Sequence, residues 1–334
     1  LLFLLANSDH KRRRGKVLMH GVSILWVFLA LLGSRAVFAG SPIVVAVVDT
    51  GIEFSHPSLS PNLWTNELEA RGASGVDDDG NGYIDDVHGY NFVDHQGDAA
   101  HQTVNDHGTH VAGIALRSFR TQAGAQIQLM SINVFGSQIF SSPIEAMSEG
   151  IRYAARMGAH VINISATSRG SSLEYEGAIR DAVSWGSLVV VAAGNDSADL
   201  DQEDAFPASY GARYPEVISV AALDLRTHQL CGRSSFGART VLLAAPGCDN
   251  TAPNGGIWSA RRGGKFGYKS GTSMAAPWVA GGIAAWLETQ PDTHASGLQV
   301  RSWLGSVTQP MTELLGKVGS GGASLPVEPF SNGR

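Results

Sequence analysis

The sequence predicts an α/β fold, a mostly parallel sheet carrying helices on both faces. Two patterns point to it. From Pro42 onward, short runs rich in Val and Ile are apolar throughout and do not alternate, which is how strands covered on both faces read. Longer stretches of helical period lie between several of them, and that succession closes into parallel strand-helix-strand units. The expected strands are Ile43–Val48, Ile127–Val134, His160–Ser165, Leu188–Ala192, Val217–Ala221 and Val241–Ala244. One expected helix opens at His107 and runs through Val111, Ile114 and Ala115; two more are Pro143–Met157 and Leu173–Trp185. A last helix opens at Ser273, with Ala276, Val279, Ala280, Ile283, Ala284 and Leu287 at helical spacing. Pro277 is expected in its first turn, where a missing N–H costs least. With 334 residues and 43% apolar composition the chain can bury one large core, and nothing marks a second catalytic domain.

Three segments far apart in the chain fit one another chemically: Val47-Val48-Asp49-Thr50-Gly51, His107-Gly108-Thr109-His110-Val111-Ala112-Gly113 and Gly271-Thr272-Ser273-Met274-Ala275-Ala276-Pro277. They offer a carboxylate, an imidazole and a hydroxyl, in that order. A serine hydroxyl is a poor nucleophile at neutral pH; it needs a base within reach, and the base needs a buried anion that fixes its tautomer. Singly, each segment has an ordinary reading, a strand exit or a helix N-cap. Together, and with Ala192-Ala193-Gly194-Asn195 between the second and third, coincidence is the poorer account. Asp49 and Asn195 fall just beyond strand ends, where ligands bind in open α/β sheets, and Ser273 falls at the positive end of a helix.

Competing chemistries lack their motifs. No G-x-G-x-x-G follows the first strand and no Walker A sequence is present. His107 and His110 lack the intervening Glu of H-E-x-x-H and a third ligand, so His110 is expected to be a buried packing residue. Gly271-Thr272-Ser273-Met274-Ala275 replaces the G-x-S-x-G elbow of α/β-hydrolase esterases, which leaves an esterase as the weaker reading.

The order Asp, His, Ser is that of subtilisin, and over about Ile43–Ala323 the chain resembles the subtilisin-family (subtilase, peptidase family S8) serine endopeptidases. The resemblance implies a three-layer subtilisin-like fold and a secreted endopeptidase working through an acyl-enzyme on polypeptide substrates. It assigns Asp49, His107 and Ser273 to the triad, and the Asn195 side chain with the Ser273 N–H to the oxyanion hole, where one preset donor is worth roughly 3–4 kcal/mol of barrier. It bounds the first substrate pocket by Ser165, Ala166 and Thr167, by Ala193 and Gly194, and by Asp201–Pro207 with Ala205 near the floor. A small residue at that floor leaves room for bulky apolar side chains. Asp196, Glu203 and Asp204 could tilt the preference toward Lys or Arg, but exposed rim charges are worth under about 1 kcal/mol.

The chain also departs from that family. Ser165-Ala166-Thr167 stands where Ser-Leu-Gly is common, which reshapes the subsites beyond the first; Ser58 stands where the acid of a family calcium site is expected; and only Gly40–Val48 separate the expected cleavage point from Asp49, so the expectation is either a sequence incomplete at its start or a chain that folds without the family's prodomain. A catalytically silent exported calcium-binding protein is therefore the alternative from another class.

Asp77-Asp78-Asp79-Gly80-Asn81-Gly82-Tyr83-Ile84-Asp85-Asp86 fits the opening D-x-[DN]-x-[DN]-G of a calcium loop, although His88 fills the position of the closing Glu. Asp77, Asp79, Asn81 and Asp85 are the candidate side-chain ligands for Ca2+, with Tyr83 through its carbonyl. A solvated acidic turn is the plain alternative.

Residues 1–39 read as a signal peptide or signal anchor: Lys11–Lys16 is basic, Val22–Leu32 is apolar but short for a bilayer, and small residues precede Gly40. The peptidase domain is expected over 40–323, a tail over 324–334, and the location secreted or extracytoplasmic. Six of the 24 basic and one of the 30 acidic side chains lie in residues 1–39, so the remainder carries a net −11, the wrong sign for nucleic-acid binding. Membrane contact is expected only if the N-terminal segment is an uncleaved anchor, and a monomer is the default. Cys231 and Cys248 flank the strand near Thr240–Ala245; one disulfide or two buried thiols fit equally.

Overall fold

The computed structural model describes residues 42–97, 100, 106–120, 127–135, 144–170, 172–320 and 323–324. The expectations for residues 1–39, for Pro143 and for 325–334 lie outside them. In chain order the strands are β1 (Ile43–Asp49), β2 (Gly89–Asn91), β3 (Ile127–Asn133), β4 (Val161–Ile164), β5 (Leu188–Ala192), β6 (Val217–Asp224), β7 (Leu243–Cys248), β8 (Ile257–Arg261), β9 (Lys265–Lys269), β10 (Gln309–Pro310) and β11 (Ala323–Ser324). The helices are α1 (Glu67–Arg71), α2 (His107–Arg120), α3 (Ile144–Arg156), α4 (Leu173–Ser184), α5 (Thr272–Glu288) and α6 (Gly297–Val307).

The main sheet has the order β10-β11-β7-β6-β5-β4-β1-β3-β2. Among the described residues β1 to β7 pair in parallel throughout, and only β10 runs antiparallel to its neighbour β11. The chain reaches the edge at β2, returns through β3 and then crosses β1 to build outward from β4. Connections thus part at β1, and the crevice at the carboxyl ends beside it is where such sheets bind ligands.

Two cores result from the period of two along each strand. Val45 and Val47 of β1 join Val190, Val220, Val111, Ile114, Val279 and Ile283 on the face covered by α2 and α5. Val44, Ala46 and Val48 join Ile162, Val191, Ile151, Tyr153 and Ile179 under α3 and α4. Every residue of β1, β4, β5, β6 and β7 is buried, so the uninterrupted Val/Ile runs have the cause inferred from sequence. Each Val or Ile so placed is worth about 1.5–3 kcal/mol relative to exposure.

Helix α5 is buried on almost all sides, and its small residues make that possible. A Cβ on Gly281 would lie 2.1 Å from the Ala115 carbonyl oxygen, so the approach of α5 to α2 admits only glycine there. One sequence expectation needs correcting: Pro277 is the sixth residue of α5, in its second turn. Its ring leaves the carbonyl of Ser273 without the usual i−4 donor, and the Ser165 hydroxyl donates to that oxygen instead, at 3.1 Å. Cys231 and Cys248 form a disulfide, which decides between the two states left open.

Candidate active site

Asp49 is the last residue of β1 and is 1% exposed. Both of its carboxylate oxygens lie 2.9 Å from His107 Nδ1, and the Thr50 N–H also donates to Oδ1, at 2.7 Å. A carboxylate only accepts, so Nδ1 carries a proton, and in the neutral tautomer this selects it is Nε2 that holds the lone pair. His107 opens α2, whose start is tied to the end of β1 by the Gly108 N–H donating to Thr50 Oγ1 at 2.9 Å. A Cβ on Gly108 would meet the Gly51 carbonyl oxygen at 2.4 Å, so the glycine after His107 permits this approach.

Asp106, just before His107, anchors the same helix start from the other side. It accepts from Arg261 Nε at 2.6 Å and from the Arg262 N–H at 2.8 Å, with Lys269 Nζ at 3.1 Å. Burial opposes its charge, but the Arg261, Arg262 and Lys269 donors outweigh burial and hold its carboxyl well below the usual carboxylate range. His110 is buried, as expected; its Nε2 lies 3.1 and 3.2 Å from the carbonyl oxygens of Ile257 and Gly267.

Ser273 is the second residue of α5, and its hydroxyl donates to the Ser165 carbonyl oxygen at 3.1 Å. Ser165 follows β4, the neighbour of β1, and its own hydroxyl accepts from Asn163 Nδ2 at 3.0 Å. Among the described residues no hydrogen bond joins Ser273 Oγ to His107; in ligand-free enzymes such bonds often close only with substrate. Asn195 lies just past β5. Its Oδ1 accepts from the Thr272 N–H at 3.0 Å and from Thr272 Oγ1 at 3.3 Å. Those donors fix the amide's orientation; among the described residues no hydrogen bond takes up Nδ2, which lies beside the start of α5, where the Thr272 and Met274 N–H groups are already bonded to Asn195 Oδ1 and the Gly271 carbonyl. Gly271, at φ +130°, makes room: a Cβ there would lie 2.9 Å from Asn195 Oδ1.

The expected substrate-binding residues gather next to this centre. Ser168 and Phe206 exchange two backbone hydrogen bonds of 2.8 Å, which lays the segment after β4 against the one holding Ala205. A Cβ on Gly194 would be 3.4 Å from Thr167 Oγ1, so Thr167 faces Gly194. Ala166 is half-buried and Thr167 exposed, whereas Ala193 and Ala205 are buried in the apolar cluster beneath. Thr50, Asp106 and Thr272 carry no signal of their own in the sequence, since a hydroxyl or carboxylate that orients a neighbour looks like any other Thr or Asp.

The acidic loop has its own geometry. Asp77 accepts from the Gly82 N–H at 2.8 Å, from Gly80 at 2.7 Å and from Asn81 at 3.1 Å, and the Gly82 bond is the chief reason its carboxyl lies below its ordinary value. Asp85 turns to the Gly75 N–H, at 2.8 Å. Asn81 donates from Nδ2 to Asp79 at 3.0 Å and to Asp86 at 2.9 Å, and the Tyr83 N–H donates to its Oδ1 at 2.7 Å. Oxygens of Glu69, Asp79 and Asp86 lie within 4.8 Å of one another, and Glu69 and Asp86 are buried. Of the sequence-derived ligands, Asp79 alone belongs to that group; Glu69, on α1, lies outside the motif and could not be read from it. Burial pushes the Asp86 carboxyl up despite bonds from the Tyr153 hydroxyl, Asn81 and Asn66.

A buried carboxylate bonded to a histidine, with a helix-start serine and an outward amide at the carboxyl edge of a parallel sheet, is an arrangement able to run nucleophilic hydrolysis. The chain belongs to the subtilase family, which its residues 40–321 match. A thermophilic serine proteinase of Bacillus sp. (strain AK1) is 33% identical over 250 residues, covering 74% of this chain and 52% of that protein. Subtilisin Savinase of Lederbergia lenta is 32% identical over 270 residues, covering 79% and 82%. Subtilisin-like protease 1 of Plasmodium falciparum (isolate 3D7) is 30% identical over 274 residues, covering 74% and 38%. The chain spans about half or less of the first curated relatives it matches. Among solved structures, a cold adapted subtilisin-like serine proteinase aligns at TM-score 0.63 and 27% identity, covering 87% of this chain and 90% of the other. A lanthipeptide protease shares the fold at TM-score 0.66 and 20% identity, with 84% and 86% covered. The expected α/β subtilisin-like fold is therefore the observed one.

Proposed function

We propose that the chain is a secreted serine endopeptidase that hydrolyses peptide bonds through an acyl-enzyme. The observation that carries the reading is the pairing of His107 Nδ1 with both oxygens of buried Asp49, at 2.9 Å. It sets the imidazole with Nε2 free to take the Ser273 proton as Oγ attacks the substrate carbonyl, and Asp49 then stabilises the imidazolium. The developing oxyanion meets Asn195 Nδ2 and the Ser273 N–H, which need no reorganisation because Thr272 and the helix start already hold them. His107 returns its proton to the leaving amine, and water repeats the sequence on the ester. An extended peptide pairs by backbone groups along Ser165, Ala166 and Thr167. Its acyl-side residue enters the pocket bounded by Ala193, Gly194 and Ala205.

Calcium fits the acidic loop as a structural cation. Glu69, Asp79 and Asp86 converge; Asp79 and Asp86 accept from the neutral groups of Asn66, Asn81 and Tyr153 and Glu69 from the backbone N–H groups of Asp78, Asp79 and Asp85, which leave the negative charge uncompensated. Hard carboxylate and carbonyl oxygens are the donors Ca2+ takes. Asp79 is common to this cluster and to the sequence-derived set Asp77, Asp79, Asn81, Tyr83 and Asp85; Asp77 shapes the loop through its backbone bonds. Export is supported by the basic and apolar composition of residues 1–39 and by the Cys231–Cys248 disulfide, which persists in oxidising compartments.

Labelling with a serine-directed phosphonate and peptide mapping tests the reading without a known substrate. Modification of Ser273 that vanishes in His107→Ala is expected; an unmodified Ser273 in folded protein sinks it.

A further inference from the structure

Two of the three acids at the rim of the proposed substrate pocket are not free. Arg169, at the end of the segment that leaves β4, reaches Asp196 with Nη2 and Glu203 with Nη1, each at 3.2 Å. Asp196 directly follows Asn195, and Glu203 stands two residues before Ala205. One guanidinium therefore joins all three pocket segments, and the paired backbones of Ser168 and Phe206 keep its stem in place. Arg233 adds a second cation on the same side, its Nε donating to the Asn195 carbonyl oxygen at 3.2 Å. Of the three acids at this rim only Asp204 has no ion-pair partner among the described residues.

Resting on the peptidase reading of this site, we infer that Arg169 is a specificity-determining residue: by occupying Asp196 and Glu203 it cancels the rim's negative charge and directs the pocket to bulky apolar side chains over Lys and Arg. A substrate cation approaching this rim meets acids that already have a partner, and it is repelled by the guanidinium between them. An apolar side chain loses nothing to either and gains the contact surface around Ala205. All three charged side chains are about half-exposed or more, so the effect is screened by salt and belongs to the range of a surface ion pair.

The test uses two peptides identical except for Phe or Arg on the acyl side of the cleaved bond, with kcat/KM measured at low salt and at about 0.5 M salt. Arg169→Gln is expected to raise the Arg-to-Phe ratio about threefold, and Arg169→Glu about tenfold, with both gains shrinking in high salt. Adding Asp196→Asn and Glu203→Gln to Arg169→Gln should return the ratio to the wild-type value, because the freed acids are its source. Ratios unchanged in both single variants while Phe peptides are still cleaved overturn this inference alone. A wild-type chain that cleaves neither peptide overturns the peptidase reading and this inference with it.

Discussion

The Asn195 amide has one orientation open to it, because both Thr272 donors face its oxygen. Its Nδ2–H therefore points outward, and on the peptidase reading proposed above the hydrogen bond it gives to the substrate oxygen strengthens only as charge develops. Asn195→Ala is expected to lower kcat by about 10² to 10³ with KM nearly unchanged. Steady-state kinetics on any cleaved peptide check this, and a change confined to KM would make Asn195 a binding residue. Asp49→Asn tests the other half of the site. An amide presents an N–H toward His107 Nδ1 and favours the opposite tautomer, so kcat should fall by about 10⁴ while the fold persists. The contacts of Asp49 with His107 and of Asn195 with the helix start at Ser273 join segments the sequence had marked as short motifs in an informative order. Thr272 and Asp106 were not legible in the sequence. Their roles depend on which side chains the fold brings to them, and neither has a sequence neighbour that reveals its partner.

At the scale of elements, legibility followed burial. Strands β1, β4, β5, β6 and β7 are covered on both faces, so their composition alone marks them. Strand β2 is three residues long, and the β8–β9 hairpin carries exposed Trp258 and Phe266 beside charged residues; neither leaves such a signature. Helix α6 did carry a signal, the capping box of Ser296 and Gln299, but its few buried positions give a weak apolar period. The acidic loop was legible as a loop and only partly as a cluster, since α1 supplies Glu69 from outside the motif. If a cation joins Glu69, Asp79 and Asp86, it binds the folded state and stabilises it by mass action, by about 2.7 kcal/mol at a hundredfold excess over Kd. In a Ser273→Ala background, which prevents self-digestion, a chelator should lower the melting temperature by roughly 5–10 °C. Asp86→Asn should remove most of that difference. Equal melting curves with calcium and with chelator would leave the segment an acidic turn.

Across the whole molecule, the order of the sheet could not be read from the sequence, because the crossing from β3 over β1 to β4 depends on how layers stack. The same stacking makes His110 the link between α2 and the hairpin: its Nε2–H is shared by the carbonyls of Ile257 on β8 and Gly267 on β9. Among the described residues its buried Nδ1 has no partner, so the neutral ring is satisfied and the cation is not. Burial pushes its pKa down to about 3, against the hydrogen bond to Gly267 and with further help from Lys269 and His107. Unfolded, the same histidine titrates at about 6.5. Below that pH the unfolded chain takes up a proton that the folded chain refuses, so stability is lost as pH falls from about 6.5 toward 3, and none of this contribution changes above 6.5. By pH 4 the loss amounts to about 3 kcal/mol. Denaturant unfolding of Ser273→Ala at pH 7 and pH 4, with and without His110→Gln, measures it. The glutamine keeps a donor for the two carbonyls but cannot titrate, so the drop in stability between the two pH values should shrink by about 3 kcal/mol. An equal drop in both proteins would show that the acid sensitivity of this fold resides in its carboxylates and not in the buried imidazole.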